Sequence, residues 1–144
     1  MTKISRKDCL KKAKNLRKGD LLLWRNYIVP TGKKNKILLI LNNCKHDKVI
    51  FFILTTSQVK FYTNPQTKID IMFLKAGKVK CFDKDTIIDL KRWQIKTIRE
   101  MGMKFYNNTL LFIGRLPEIE IKHLNDTIAR AITLSPQTKD SILK

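Results

Sequence analysis

The stretch GKKNKILLILNNCKHDKVIFFILTTSQ, residues 32–58, contains two unbroken apolar runs, ILLIL and VIFFIL, on either side of a polar segment. Short runs that are apolar at every position are typical of strands buried on both faces. The intervening segment NNCKHDK is short and rich in turn-forming residues, so it predicts that the two runs pair as antiparallel neighbours. We therefore expect a buried antiparallel hairpin in this part of the chain.

Antiparallel pairing has a consequence for the polar residues that flank the hairpin. The start of one strand lies beside the end of the other, so Lys33–Lys36 and Thr55–Gln58 are expected at the same edge of the sheet. Cations beside hydroxyl and amide donors suit a phosphodiester. The plainer alternative is a solvated basic turn and hydroxyl groups that only satisfy the backbone at a strand end.

Further strand patterns lie on both sides of this hairpin. The segment DLLLWRNYIV (20–29) precedes it, and KIDIMFLK (68–75) and TIIDLKRWQIKTI (86–98) follow it. The last of these alternates less cleanly, which predicts a bend. A final strand is predicted in TLLFIGRL (109–116), ending at Gly114.

Helical patterns lie towards the two ends of the chain. SRKDCLKKAKNLRKG (5–19) has a capping-box pattern at Ser5 and Asp8, and Gly19 is predicted to end the helix. LPEIEIKHLNDTIARAITL (116–134) carries one apolar stripe at helical spacing, formed by Ile121, Leu124, Ile128, Ala131 and Ile132. The segment SPQTKDSILK (135–144) is predicted as a tail or a short extra turn.

These elements predict one domain over residues 1–144, because the chain is too short for two ordinary domains. Residues 1–18 form a basic N-terminal helical extension, 19–134 a core with its closing helix, and 135–144 a tail. The expected fold class is mainly β with helices (α+β): a small, strongly curved antiparallel sheet or barrel closed by helices.

The charge of the chain indicates a polyanionic partner. Thirty basic residues face 12 acidic ones, which gives a net charge of +18. Residues 1–80 hold 19 of the basic residues but only 4 of the acidic ones. A general lysine bias does not explain this asymmetry, whereas a nucleic acid, an acidic protein or an anionic membrane surface does.

Several classes of protein lack support in the sequence. There is no Walker loop, GxSxG or HExxH motif, and three widely spaced cysteines with two histidines argue for neither a disulfide framework nor a zinc site. The N-terminus does not read as a signal peptide, and no apolar run approaches the roughly 20 residues of a membrane span. We expect a cytoplasmic protein that does not enter a membrane.

The order of segments resembles the PemK/MazF family of toxin endoribonucleases. The matching pieces are KGDLLLW, ILLILNN, FILTTSQ, FDKDTIIDLKRWQIKTI and IGRLPEIEIKHLNDTIARAI, which cover roughly residues 18–132 in the family's order. The most specific combination is FDKDTIIDL with KTI behind it, followed by GRL and a final helix. The resemblance implies an SH3-like antiparallel barrel with an added N-terminal helix and a C-terminal helix, usually in a homodimer.

The resemblance also implies an activity. Members of the family are type II toxin–antitoxin toxins that cut single-stranded RNA at short sequences without a metal or other cofactor. The ribose 2′-hydroxyl attacks its own phosphate, and an antitoxin with an acidic segment blocks the RNA groove. Three aromatic residues are available to stack on bases or, alternatively, to pack in the core: Trp24, Phe61 and Tyr62.

The family's active site pairs a threonine or serine of a TSQ segment with an arginine just before a buried strand. Thr56 matches the first, but Asn35 stands where the arginine is expected, so Lys34, Lys36 and Arg25 are the candidates to replace it. The implied catalytic residues are Thr56, Lys34 and Lys36. The implied RNA-binding residues are Arg25, Lys33, Asn35, Ser57, Gln58 and Lys60.

Two questions stay open at this level. Because asparagine carries no charge, the protein is alternatively a non-catalytic module that binds RNA or a partner on the same fold. The N-terminal helix either extends the RNA path, covers the dimer surface or is a solvated basic arm. A protein-directed toxin on a related barrel has little support in the sequence.

Overall fold

The computed structural model describes residues 5–62 and 69–143, without the side chain of Phe61. Residues 1–4, at the start of the predicted extension, and Lys68, at the start of one predicted strand, lie outside this part. The helices are α1 Arg6–Lys14, α2 Ile98–Tyr106, α3 Glu118–Arg130 and α4 Pro136–Leu143. The strands are β1 Asp20–Val29, β2 Gly32–Ile40, β3 Val49–Leu54, β4 Ile71–Leu74, β5 Thr86–Asp89, β6 Trp93–Thr97 and β7 Leu110–Arg115.

The fold is α+β, with one antiparallel five-stranded sheet in the order β6-β3-β2-β1-β7 and a separate β4-β5 hairpin. The predicted pairing of the two apolar runs is confirmed, since Leu38 lies opposite Leu54 and Ile40 opposite Phe52. A bridge between Thr56 and Ile87 connects the end of the large sheet to the small one. In the described residues these strands do not close into a barrel.

The central strands are apolar at every position because the large sheet has a hydrophobic core on each face. Leu38 and Ile40 pack with residues of α1 and α2, whereas Leu39 packs with residues of α3 and the β4-β5 hairpin. Successive side chains of a strand point to opposite faces, so a strand between two cores has no polar face.

Helix α1 packs against α2 and buries its apolar side, which includes Cys9 and Ala13. Ser5 caps it as predicted, by accepting a hydrogen bond from the Asp8 backbone at 3.2 Å. The lysine-rich side remains exposed. The N-terminal helix is therefore docked on the domain and is not a solvated arm.

The structure differs from the sequence-based prediction most at the segment before the apolar run. The lysines were expected in a turn, but β2 already begins at Gly32, and Lys34 and Lys36 lie opposite Tyr27 and Trp24 of β1. Strand β1 is long enough to pair with this polar segment, so backbone hydrogen bonds hold it where no hydrophobic pattern indicates a strand. The turn is confined to Pro30 and Thr31.

The ends of other helices and strands also differ from the predicted ones. Helix α1 ends at Lys14, before Gly19, and the predicted tail forms helix α4. Residues 98–106 form the unpredicted helix α2, which starts with a capping box between Thr97 and Glu100. Because α3 ends at Arg130, Ile132 leaves the predicted apolar stripe and is 75% exposed. The expected bend in 86–98 is a 3-10 turn at Leu90–Arg92.

The charged residues at the start of β1 form a part-buried network. Nη1 of Arg115 donates to Oδ1 of Asp20 at 2.9 Å and to the Lys18 carbonyl at 2.8 Å. Nζ of Lys18 donates to Oδ1 of Asn125 at 2.9 Å, and burial lowers the pKa of this lysine. The network joins the start of β1 to β7 and α3, and it gives Asp20 of the GD pair a structural role.

None of the helices in the described part of the chain has the length and apolar character needed to cross a membrane.

Candidate functional site

A cavity of about 360 Å³ opens where β2 and the segment after β3 meet, as the hairpin geometry predicted. Two backbone interactions build this edge. Thr55 donates to the Ile37 carbonyl through both its backbone N–H and its hydroxyl, each at 2.8 Å. Thr56 exchanges two backbone hydrogen bonds with Ile87, at 2.8 and 3.1 Å. The lining residues are Lys34–Ile37, Thr55–Gln58, Cys81–Lys84 and Thr86.

The two threonines have different roles. Thr55 is buried, and its hydroxyl proton is already donated to the backbone, so it is structural. Thr56 is half-buried, and its hydroxyl oxygen accepts the Gln58 backbone N–H at 3.1 Å. This bond uses the oxygen as an acceptor and fixes its position. The Thr56 hydroxyl proton can therefore be donated to a ligand in the cavity.

The cations at the cavity are only partly those predicted. Lys34 and Lys36 line it, whereas the exposed Lys33 does not. Lys84 also lines it, from the loop before β5, and no sequence motif pointed to this residue. Asp83 contributes the only carboxylate among the lining residues. Within the described part of the chain, no ion pair joins Lys34, Lys36 or Lys84 to an acidic residue.

Asn35 has a structural role that the sequence did not reveal. Strand β1 bulges where Arg25 and Asn26 together oppose Asn35. Oδ1 of Asn35 accepts the Asn26 backbone N–H at 3.1 Å, and Asn26 has a left-handed φ of 57°. Asparagine tolerates this conformation better than most residues, and the carboxamide of Asn35 satisfies the N–H that the bulge leaves unpaired. Asn35 thus holds the bulge in addition to lining the cavity.

Arg25 is not brought to Thr56. Its backbone N–H donates to the Thr109 carbonyl at 2.8 Å, and its side chain lines a different cavity, formed by β1 and the end of α2. Of the three candidates for the place of the family arginine, Lys34 and Lys36 therefore line the cavity at Thr56 and Arg25 does not.

Lys60 lies in a neighbouring cavity of about 610 Å³, lined by Ser57–Lys60, Ala76, Lys84 and Asp85. Ser57, Gln58 and Lys84 line both this cavity and the one at Thr56. The two therefore form a continuous depression, and the predicted residues Ser57, Gln58 and Lys60 all lie along it.

Two of the aromatic residues considered for base stacking make contacts within the protein. Trp24 is only 8% exposed and packs against Phe52 and edge-to-face against Tyr27, with ring centroids 5.1 Å apart in the latter pair. The Tyr62 hydroxyl donates to Oδ2 of Asp89 at 3.1 Å, and burial, followed by the charge of Asp89, raises the pKa of Tyr62. The prediction for the Phe61 ring lies outside the described residues.

Neither histidine lies at a described cavity: His46 is exposed in a 3-10 turn, and Nδ1 of His123 lies 3.6 Å from Glu120 on α3. Residues 5–62 and 69–143 contain no cluster of three or more His, Cys, Asp or Glu side chains that could hold a metal ion. The predicted independence of metal stays a prediction.

No protein-family model matches this chain, and no curated protein is significantly similar to it. Its function is therefore argued from the cavity. The residues that line this space of about 360 Å³ include three lysines, a hydroxyl donor and one carboxylate, which can bind a phosphodiester and accept or donate a proton beside it.

Proposed function

We propose that this protein is a metal-independent endoribonuclease that cleaves single-stranded RNA at short sequences, acting as the toxin of a type II toxin–antitoxin pair. One observation carries the proposal: Thr56, Lys34 and Lys36 line a single cavity at the edge of the sheet. The resemblance of the segment order to the PemK/MazF family supports the same conclusion. So does the net charge of +18, which favours a polyanionic substrate.

The proposed reaction is an intramolecular displacement at phosphorus. The 2′-oxygen of a ribose forms a bond to the adjacent phosphorus while the bond from phosphorus to the 5′-oxygen breaks. A base removes the 2′-hydroxyl proton, and an acid supplies a proton to the leaving 5′-oxygen. The products are a 2′,3′-cyclic phosphate and a 5′-hydroxyl, so atoms and charge balance without any added reactant.

The residues at the cavity supply the groups that this step needs. The ammonium groups of Lys34 and Lys36 stabilise the charge that develops on the phosphate oxygens, and the Thr56 hydroxyl donates a hydrogen bond to one of them. The carboxylate of Asp83 is positioned at the same cavity to accept the 2′-hydroxyl proton. Either lysine can protonate the leaving oxygen.

The proposal extends to the scaffold and the partners. The antiparallel sheet, linked to β4-β5 through Thr56 and Ile87, is in this proposal a variant of the SH3-like PemK/MazF barrel. The active form is a homodimer in the cytoplasm, and an antitoxin with an acidic segment occupies the cationic depression. The acidic segment is favoured because acidic side chains pair with the same lysines that contact phosphate.

One contact favours a second candidate function, a non-catalytic module that binds RNA or a partner on this fold. Oδ1 of Asn35 is bonded to the Asn26 backbone, so the position expected to hold a catalytic arginine supports the strand instead. Lysine lacks the bidentate fork of a guanidinium, and the cations among the residues that line the cavity are all lysines. Such a module retains RNA affinity but not cleavage.

A cleavage assay separates the two. Purified protein is incubated with a long single-stranded RNA in excess chelator, and the ends of the fragments are mapped. The enzyme produces cyclic phosphate and 5′-hydroxyl ends; uncut RNA, or cleavage that chelator abolishes, overturns the proposal. Thr56→Val removes the hydroxyl at nearly constant volume and is expected to lower the rate at least tenfold, about 1.4 kcal/mol of barrier. Lys122→Ala, on the exposed side of α3, is the charge control and should cut as the wild type does.

A further inference from the structure

A second cavity, of about 610 Å³, lies between the bulge of β1 and the end of α2. The proposed reaction does not use it. The volume of this cavity is within the range of small-ligand sites. It is lined by cations, aromatic rings and carboxamides, with no acidic residue among the lining residues. Its lining residues are Trp24, Arg25, Asn26, Tyr27, Ile28, Lys104, Asn107, Asn108 and Thr109.

Backbone contacts shape this cavity. The Arg25 backbone N–H bonds to the Thr109 carbonyl at 2.8 Å, which joins the bulged strand to the segment after α2. Asn108 has a left-handed φ of 60°, and the Asn107 backbone N–H caps α2. Within the described residues the Asn107 side chain makes no hydrogen bond. Its exposed carboxamide can therefore serve a ligand.

The aromatic and cationic side chains of this cavity contact one another. Nζ of Lys104 lies 4.4 Å from the centroid of the Trp24 ring. Trp24 in turn meets Tyr27 edge-to-face at 5.1 Å and 88°, and Tyr27 is half-buried. These contacts hold the Tyr27 ring in place at the cavity. Arg25 is exposed at the rim and can reach a phosphate there.

The second cavity and the first are both lined by residues of the paired strands β1 and β2. Tyr27 lies opposite Lys34, and Trp24 lies opposite Lys36, while both lysines line the cavity at Thr56. Neighbouring strands are about 4.8 Å apart, so the backbones of these paired residues are close together. Residues that line the first cavity are therefore directly paired with residues that line the second.

We propose that the second cavity binds an unpaired nucleobase of the RNA, next to the phosphate held at Thr56. The Tyr27 ring stacks on the base, the Asn107 carboxamide bonds to its edge, and Arg25 and Lys104 contact the flanking phosphates. Stacking on an aromatic ring together with cations along the backbone is how proteins recognise single strands. The absence of any acidic group among the lining residues favours this occupant over a basic peptide. The inference rests on the proposed function, since it names a base-reading subsite of the same RNA path.

Binding is measured with fluorescent 2′-O-methyl oligonucleotides of about 12 nucleotides, within the site sizes of single-strand binders. Such probes lack the 2′-hydroxyl nucleophile, so affinity is measured whether or not the protein cuts RNA. Tyr27→Leu keeps an apolar side chain but removes the ring, and it should weaken binding roughly 5- to 150-fold, as for loss of one stacked base. Asn107→Asp should also weaken binding, and Arg25→Ala should reduce the salt slope by about one.

Two comparisons make the result decisive. Lys122→Ala removes one charge at a site that lines none of the described cavities and should leave affinity within about twofold. The wild type should bind an oligonucleotide with abasic positions more weakly than the intact probe. Tyr27→Leu should bind these two probes with equal affinity. The inference is overturned if the wild type binds no probe, if all three cavity variants bind like Lys122→Ala, or if abasic sites have no effect. Failure of cleavage alone refutes the proposed enzyme but leaves these binding results to decide the subsite.

Discussion

Asn35 is the residue at which the structural and catalytic arguments can be separated, and Asn35→Arg is the change that separates them. The substitution removes the hydrogen bond from the Asn26 backbone N–H to Oδ1, which is 3.1 Å long. It also places a guanidinium at the cavity that holds Thr56. We therefore expect opposite effects: the protein should become less stable and cleave RNA faster.

The size of each effect follows from the structure. The lost hydrogen bond is exposed, so its net contribution is about 0.5–1.5 kcal/mol, and for a domain of this size the midpoint of thermal unfolding should fall by roughly 1–6 °C. Removing one preorganised donor from an enzyme site typically costs about 100- to 1000-fold in rate. Because the surrounding residues are not arranged for an arginine, we expect a gain of at least about tenfold, or 1.4 kcal/mol of barrier.

Two further variants at the same position provide the controls. Asn35→Ala loses the hydrogen bond without adding charge, so it should show the loss of stability but no gain in rate. Asn35→Lys adds a charge without the bidentate fork and should give a smaller gain than arginine. Thermal unfolding followed by circular dichroism measures stability, and cleavage of one labelled RNA under single-turnover conditions measures the rate.

The reasoning is refuted on the structural side if Asn35→Ala unfolds at the wild-type temperature. It is refuted on the catalytic side if the arginine variant cuts no faster than the alanine variant. A wild type that cannot cut RNA, combined with an arginine variant that can, would favour the non-catalytic module over the enzyme.

Three other outcomes are expected. Lys34→Gln should reduce the salt slope of RNA binding by about one, whereas Lys33→Gln, outside the cavity, should change it less; equal effects on titration against salt would contradict the proposed path. Gly19→Ala should destabilise the domain by about 1–3 kcal/mol in urea unfolding, because φ is +95° and the added carbon lies 2.7 Å from Cδ1 of Ile121; wild-type stability would show that neither matters. Burial, followed by two nearby carboxylates, raises the pKa of Cys44 to about 12, so a thiol reagent at pH 8 should label it only after unfolding, and labelling of the native protein would contradict the buried position.

The predictable part of this site depended on one geometric rule. Antiparallel pairing of two apolar runs is readable from residues 37–54, and it requires that Lys36 and Thr56 lie near the same edge. Lys84 and Asp83 were not predicted, because they reach the cavity through the pairing of β5 with the segment after β3, and no local pattern encodes that contact. That Arg25 lines a different cavity was equally unpredictable, since the bulge that follows Trp24 is a property of two paired strands.

The sequence by itself determined the central hairpin, the helices α1 and α3 and the cationic character of the first half. Each of these depends on residues close together in the chain: continuous apolar runs, helical spacing with a cap at Ser5, and an excess of lysine. Only the tertiary structure decided that Lys33–Lys36 belong to a strand, that Asn35 stabilises a bulge and that Tyr27 lines a second cavity. These features arise from contacts such as Asn26 with Asn35 and Arg25 with Thr109, whose free energy comes from pairing across the fold and leaves no periodic signal in either segment.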